Sequence, residues 1–120
     1  MNRSIFDPLQ IHPAIRETVA GYHADVIREV QAAIATNKVV IVGMTQNPFP
    51  RRARKALDTA AVPYKYLEYG NYFGGWKPRL ALKIWSGWPT LPMIFVNGVL
   101  IGGATDLERI IQSGDLQKML

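Results

Sequence analysis

Apolar side chains at Ile15, Val19, Tyr22, Val26, Val30, Ala33 and Ile34 recur at steps of three and four residues. That spacing predicts one long amphipathic helix over about Pro13 to Thr36, with Pro13 in the first turn, where a missing N–H costs nothing. Asn37-Lys38 ends it. Val39-Val40-Ile41-Val42 is a continuous apolar run, the pattern of a strand covered on both faces. A second helix is expected after Pro48 and Pro50, with Ala53, Ala56, Leu57 and Ala60 on one side. Val62-Pro63 closes it, because the residue before a proline resists helical dihedrals. Tyr64 to Tyr69 reads as a strand, Asn71 to Gly75 as a loop, and Pro78 to Trp85 as a third helix ending at Ser86-Gly87. Asn97-Gly98 between Met93–Val96 and Val99–Ile101 is a hairpin signal, a two-residue turn that tolerates positive φ between apolar strands. Gly102-Gly103 breaks the last strand. Thr105, with Glu108 three residues on, has the capping-box spacing for a helix filled by Ile110 and Ile111. Ser113-Gly114-Asp115 starts a final turn or short helix ending at Leu120.

The β–α–β start implies a parallel pair with a right-handed crossover, and the hairpin adds antiparallel strands. A four-stranded mixed sheet flanked by helices on both faces, an α/β arrangement, is the economical packing. The 120 residues suit an N-terminal extension with a long helix (residues 1–36) followed by one domain (residues 37–120). No stretch approaches the roughly 20 consecutive apolar residues of a spanning helix. Met1 to Gln10 lacks the pattern of a secretory signal, so a cytoplasmic protein is expected.

Composition then removes whole classes of chemistry. The chain has no cysteine, which excludes disulfides, thiolate metal sites and thiol nucleophiles. Its two histidines, His12 and His23, both lie near the N-terminus and suit neither a metal centre nor a triad.

Three segments carry a resemblance. Trp88-Pro89-Thr90-Leu91-Pro92 before a strand, Asn97-Gly98 in the hairpin and Gly102-Gly103-Ala104-Thr105-Asp106 opening a helix, in this order and spacing, resemble the glutaredoxin signature. Leu67-Glu68-Tyr69-Gly70-Asn71 and Ser113-Gly114-Asp115-Leu116 add weaker matches, and the likeness covers about Val30 to Leu120. It implies a thioredoxin-like (glutaredoxin) fold. In that family the first strand leads to a Cys-Pro-Tyr-Cys or Cys-Gly-Phe-Ser turn. Here the corresponding residues are Asn47-Pro48-Phe49-Pro50, which keep the proline and the aromatic but neither sulfur. The resemblance therefore implies a degenerate active-site turn without catalytic residues, silent in thiol–disulfide exchange and unable to ligate an iron–sulfur cluster or another metal through that turn.

It also implies what remains of a glutathione site. Leu91-Pro92 matches the family's cis-proline position, where the Leu91 N–H and C=O would pair with an extended ligand backbone; it is equally a turn that starts a strand. Thr105 and Asp106 match residues that grip the γ-glutamyl end of glutathione, or they form a plain helix cap. Arg79 matches a basic residue that contacts the glycine carboxylate, or it lies on a solvated helix face beside Lys77 and Lys83. Met44 replaces a lysine common in the family, and Pro48 and Pro50 remove donors from the helix start, so the expected affinity is reduced. Phe49 either borders the groove or belongs to the core. Trp76, Trp85 and Trp88, three large rings within thirteen residues, suit an interface or the core, and two are expected to pack in the core.

Between Arg51 and Lys83 eight basic side chains face two acidic ones, while the rest of the chain is nearly balanced, within a formal net charge of +5. A positive surface there suits glutathione, an anionic peptide or an acidic protein; nothing resembles a nucleic-acid reading element. Three readings follow. The chain is a non-catalytic glutathione- or peptide-binding domain, or a structural or protein-interaction module acting through its basic face with a vestigial groove. Alternatively it is an enzyme of non-thiol chemistry, such as a glutathione transferase on a related fold, with Thr45, Tyr64 or Tyr72 polarising the ligand sulfur. The N-terminal helix packs on the domain or on a second copy.

Overall fold

The computed structural model describes residues 3–71 and 73–120. Two short 3₁₀ turns (Pro8–Gln10, Pro13–Ile15) precede α1 (Arg16–Gly21) and α2 (Ala24–Thr36). Then come β1 (Val39–Gly43), α3 (Pro48–Thr59), β2 (Lys65–Glu68), α4 (Trp76–Ser86), β3 (Met93–Val96), β4 (Val99–Gly102), α5 (Ala104–Ser113) and α6 (Asp115–Met119). The strands form one sheet in the order β2-β1-β3-β4. β1 runs parallel to β2, with Val42 opposite Leu67, and antiparallel to β3, with Ile41 opposite Ile94. The β3–β4 hairpin turns on Asn97 and Gly98, both at positive φ, as the dipeptide predicts.

Side chains alternate faces along a strand, so β1 divides its valines and isoleucine between two cores. Val40 and Val42, with Met93 and Phe95 of β3, pack against Val26, Val30 and Ala33 of α2 and Leu82 of α4. Val39 and Ile41, with Ile94 and Val96, pack against Ala53 and Leu57 of α3, Leu107 of α5 and Leu116 of α6. The central strands β1 and β3 are buried along their whole length, whereas the edge strands β2 and β4 are partly open. Trp85 and Trp88 pack against the first core, and Trp76 is exposed, matching the expected two.

The long N-terminal helix is the main correction. The chain breaks at Tyr22-His23, where His23 adopts left-handed dihedrals (φ 47°), and resumes as α2. Gly21 is a poor helix former, by about 1 kcal/mol relative to alanine, and it directly precedes the break. The apolar spacing runs unbroken through the kink because Val26, Val30 and Ala33 still face one core, so periodicity alone carries no trace of it. Asn37 then terminates α2 with two bonds to one carbonyl, its backbone N–H (2.9 Å) and its Nδ2 (3.0 Å) both donating to Ala33 O.

Three helix starts also differ from expectation, α4 by beginning at Trp76, two residues ahead of Pro78. α3 begins at Pro48 itself, so both prolines lie in its first turn, where absent N–H groups leave no intrahelical bond unmade. α5 begins at Ala104, one residue before the expected cap. Gly103 is its N-cap, and Asp106, not Glu108, reaches back to the cap, accepting from the Gly103 N–H at 2.9 Å. Glu108 pairs instead with Arg52 of α3.

Leu57 is fully buried between α3 and the sheet. Leu57→Ala should lower unfolding stability by about 2–5 kcal/mol through lost transfer energy and the cavity left behind. Ile84→Ala, on an exposed face of α4, should cost less than about 0.5 kcal/mol; urea unfolding of both variants checks the contrast.

Candidate functional site

The site forms where β1 ends. Gly43 closes the strand, and a Cβ there would stand 2.8 Å from Pro50 Cβ and 2.9 Å from Tyr66 Oη. Only a glycine lets the first turn of α3 fold so tightly over the strand end. Met44 is buried in the first core. Thr45 donates twice to Gly70 O, from its N–H (2.9 Å) and from its Oγ1 (3.1 Å), and Gln46 turns the chain at φ 63°. Asn47 follows in an extended conformation and caps α3, its Oδ1 accepting from the Phe49 N–H at 2.9 Å.

Across from this turn, the cis Leu91-Pro92 peptide leads into β3. A third wall is the start of α5. Together Asn47, Phe49, Leu91, Pro92, Thr105 and Asp106 border one groove of about 400 Å³, completed by Trp88, Thr90, Gly103 and Ala104. The first-turn N–H groups of a helix have no acceptor within it, and the first bond inside α5 is Leu107 N–H to Gly103 O (3.0 Å). A second donor stands beside them: Trp88 Nε1 is buried in the groove wall with no acceptor on the protein. The sequence marks Trp88 as part of a motif and as a core or interface ring, but an orphaned N–H is a property of the assembled fold.

The individual expectations divide. Phe49 is not core but 46% exposed at the groove mouth, with the Arg52 guanidinium over its ring at 5.4 Å to the centroid. Pro50, where the family's second cysteine would stand, is buried. The Leu91 carbonyl is not wholly free, because Asn47 Nδ2 reaches it in a long 3.5 Å bond. Asp106 holds the Gly103 N–H, so its carboxylate serves the helix cap and the groove together.

Arg79 departs furthest from both readings. It is only 7% exposed, lies outside the groove lining, and its Nη1 donates to Tyr69 O (3.0 Å) and Gly74 O (2.8 Å). The guanidinium thus ties the end of β2 to the following loop. Gly70 (φ 68°) and Gly75 (φ 76°) approach each other around it, which side chains on either would block. Asn71 Oδ1 organises the same loop by accepting from Phe73 N–H and Gly74 N–H. The exposed basic surface comes instead from Arg51, Arg52, Arg54 and Lys55 of α3, together with Lys65 and Lys77.

The hydroxyls considered for non-thiol chemistry find little support. Thr45 Oγ1 is engaged with Gly70 O. Tyr64 precedes β2, at the opposite end of the sheet from the groove, beside Pro63 and Leu120. Tyr72 lies outside the described residues. Tyr66, close to the turn, is held protonated: burial pushes its phenol up to about 12, and donation to Glu68 (3.0 Å) adds to the shift. Tyr69 is raised by the same two causes, with Glu29 as its partner.

Comparison with known proteins decides the family. The glutaredoxin family model matches residues 39–101. The chain belongs to the glutaredoxin family. It is 45% identical to a glutaredoxin-like protein of Dictyostelium discoideum, over 85% of this chain and 83% of that one. It is 39% identical to human mitochondrial glutaredoxin-2 over 75% of its own length, and spans about half (55%) of that relative. Among solved structures, oxidized glutaredoxin 2 from Chlamydomonas reinhardtii superposes with a TM-score of 0.69 at 33% identity, covering 81% of this chain and 92% of that one. A buckwheat glutaredoxin–glutathione complex gives 0.69 at 25% identity, over 81% and 88%.

Membership sharpens the meaning of the turn. Iron–sulfur ligation by a glutaredoxin requires a thiolate, and this turn presents an amide, two prolines and a phenyl ring, a donor set that does not fit a cluster. Among the described residues, no group of three His, Asp or Glu side chains is placed to hold a metal ion, and no helix is long and apolar enough to cross a membrane.

Two predictions follow from these geometries. Arg79→Ala leaves the Tyr69 and Gly74 carbonyls without their donor and should cost about 2 kcal/mol of stability in the absence of any ligand, read by thermal or urea unfolding. Tyr66 binds its proton more tightly folded than unfolded, so its contribution is fully present below pH 10 and is lost as pH rises toward about 12. Unfolding free energy measured from pH 9 to 12 should therefore fall in the wild type and fall less steeply in Tyr66→Phe.

Proposed function

We propose that this glutaredoxin-like chain binds glutathione, or a peptide of similar character, without catalysing thiol–disulfide exchange. The observation that carries the reading is the meeting of unpaired donors at one groove. The open N–H groups of the α5 first turn border the same space as the Leu91-Pro92 backbone, and Trp88, whose Nε1–H is buried and unpaired, lines its wall. A carboxylate-bearing peptide end supplies the acceptors those donors lack. Its amine has a partner in Asp106, and about 400 Å³ lies within the range of small-molecule sites. The buckwheat relative, by its description, forms a glutathione complex.

Chemistry stops at binding in this reading. Exchange needs a thiolate that attacks a disulfide sulfur, and position 47 carries an amide already committed to the Phe49 N–H and the Leu91 carbonyl. Arg79, engaged inside the loop, is not assigned to the ligand's glycine carboxylate; that end is left to the exposed cations of α3.

A second reading has its own support. Phe49 and Trp76 are exposed aromatic rings, with Arg52 stacked on the first and Lys77 on the second. Such cation-covered rings suit an acidic protein segment carrying an apolar anchor, with the groove vestigial.

Titrating reduced glutathione to several millimolar while following amide shifts separates the two. Saturable shifts at Thr105, Asp106 and the Trp88 indole N–H, weakened at least threefold by Asp106→Ala, are expected. No shift at millimolar ligand rejects the binding groove and leaves the interaction module. Reduction of hydroxyethyl disulfide with glutathione should run no faster than in buffer, and turnover above that rate would overturn the non-catalytic reading.

A further inference from the structure

The two ends of the proposed ligand differ in charge. Its amino-acid end carries an ammonium and a carboxylate, and the groove has a partner for each in Asp106 and the open N–H groups of α5. The other end carries a carboxylate alone, and Arg79, buried and engaged with two carbonyls, is not free to meet it. The four cations of α3 differ in what they touch. Arg54 lies over the Tyr66 ring at 4.4 Å to the centroid, and Arg51 and Lys55 are exposed. Arg52 is placed against a side chain of the groove itself, with its guanidinium over the Phe49 ring.

Helix geometry accounts for this placement. Residues three apart share a face, so Arg52 stands one turn behind Phe49, and long side chains on a helix lean toward its N-terminus. For α3 that direction is the mouth of the groove. Glu108 stands in the same relation to the groove residue Thr105 on α5, and the two helices pack on one face of the sheet. Arg52 Nη2 donates to Glu108 Oε1 between them. The cation that leans toward the groove is thus engaged by a carboxylate of the protein itself. The two side chains are 44% and 36% exposed, and ion pairs so open to water contribute little to stability. Asp106, not Glu108, serves the α5 cap, so releasing the pair leaves the groove wall in place.

We propose that Arg52 is the specificity-determining cation of this groove. It exchanges Glu108 for the glycine carboxylate of glutathione, or for the C-terminal carboxylate of a comparable peptide, and Glu108 is the internal competitor that sets the affinity. This rests on the binding reading above and adds a selectivity to it, for free carboxylates over their amides. Arginine suits the exchange because its planar fork is always charged, pairs with a carboxylate through two parallel bonds and can stack on the Phe49 ring as it does so.

Glutathione and its glycine amide are titrated against the wild type, Arg52→Ala, Glu108→Gln and Lys55→Ala, following the Thr105 and Asp106 amide shifts. Charge-assisted bonds being the stronger kind, Arg52→Ala should weaken glutathione about fivefold and Glu108→Gln should tighten it about twofold. Both substitutions break one ion pair, and a purely structural pair would move affinity in the same direction twice. Lys55→Ala removes an equal charge from the same helix and should leave affinity unchanged. The amide should bind the wild type about fivefold more weakly than glutathione does, and Arg52→Ala no more weakly than the wild type. Circular dichroism and the urea midpoint check that each variant is folded. Glutathione binding that Arg52→Ala leaves unchanged, or that Glu108→Gln or Lys55→Ala weakens as much as Arg52→Ala does, overturns the assignment and leaves the groove reading standing. An amide as sensitive to Arg52→Ala as glutathione does the same. No saturable shift of the wild type at several millimolar glutathione overturns both.

Discussion

The site depends on one strand. β1 is buried on both faces and hydrogen-bonded on both edges, parallel to β2 and antiparallel to β3. Its position is therefore fixed by two cores at once, and the chain leaving its C-terminal end at Gly43 has a single place to go. That exit meets the Leu91-Pro92 turn feeding β3 and the start of α5 following β4. None of these constraints refers to the residue at position 47. A strand built from Val39 to Val42, a turn of prolines and a glycine at the close approach to Pro50 assemble the same groove whether the helix cap is a thiol or an amide.

This explains which parts of the molecule could be read from the residues. Continuous apolar runs, the Asn97-Gly98 turn and the helix on Ala53 and Leu57 are local patterns with local consequences, and the parallel β1–β2 pair and the antiparallel hairpin follow from them; that β3 lies beside β1 is set by the packing of the whole sheet. The Trp88–Pro92 and Gly102–Asp106 segments located the groove for the same reason. What escaped was non-local or confined to the backbone. His23 breaks the N-terminal helix by a change in φ and ψ that leaves the apolar spacing intact. Arg79 reads as a surface cation until the loop after β2 folds over it and offers two carbonyls. Phe49 has the composition of a core residue, but the prolines on either side place it in the first turn of α3, at the mouth of the groove. The cap of α5 lies two residues before the expected one because Gly103 and Thr105 are both acceptable cap residues, and only the reach of Asp106 distinguishes them.

The charge of the chain is similarly reorganised by folding. Arg79 is withdrawn into the structure, Arg52 pairs with Glu108, and Arg54 lies over the Tyr66 ring at 4.4 Å. What faces solvent near the groove is a set of arginines partly covered by, or covering, aromatic rings. Such cations are less hydrated than free ones and are better placed to hold a carboxylate against an apolar surface. The basic α3 and the N-terminal α2 lie on opposite faces of the sheet, so contacts made through one leave the other open.

The Asn47 cap finally shows how loss of one chemistry and gain of stability reside in the same bond. At the start of a helix, free N–H groups and the helix dipole lower the pKa of a cysteine and make it reactive. Here the Phe49 N–H that could serve a thiolate is bonded to the Asn47 side chain, a cap worth about 1 kcal/mol to the helix. The other end of that amide extends to the Leu91 carbonyl and joins the turn to the opposite wall. An asparagine therefore does more than remove a sulfur: it converts the field of the helix start from an activating environment into a structural bond. The donors it leaves unused, in the first turn of α5 and at Trp88, have no acceptor within the fold.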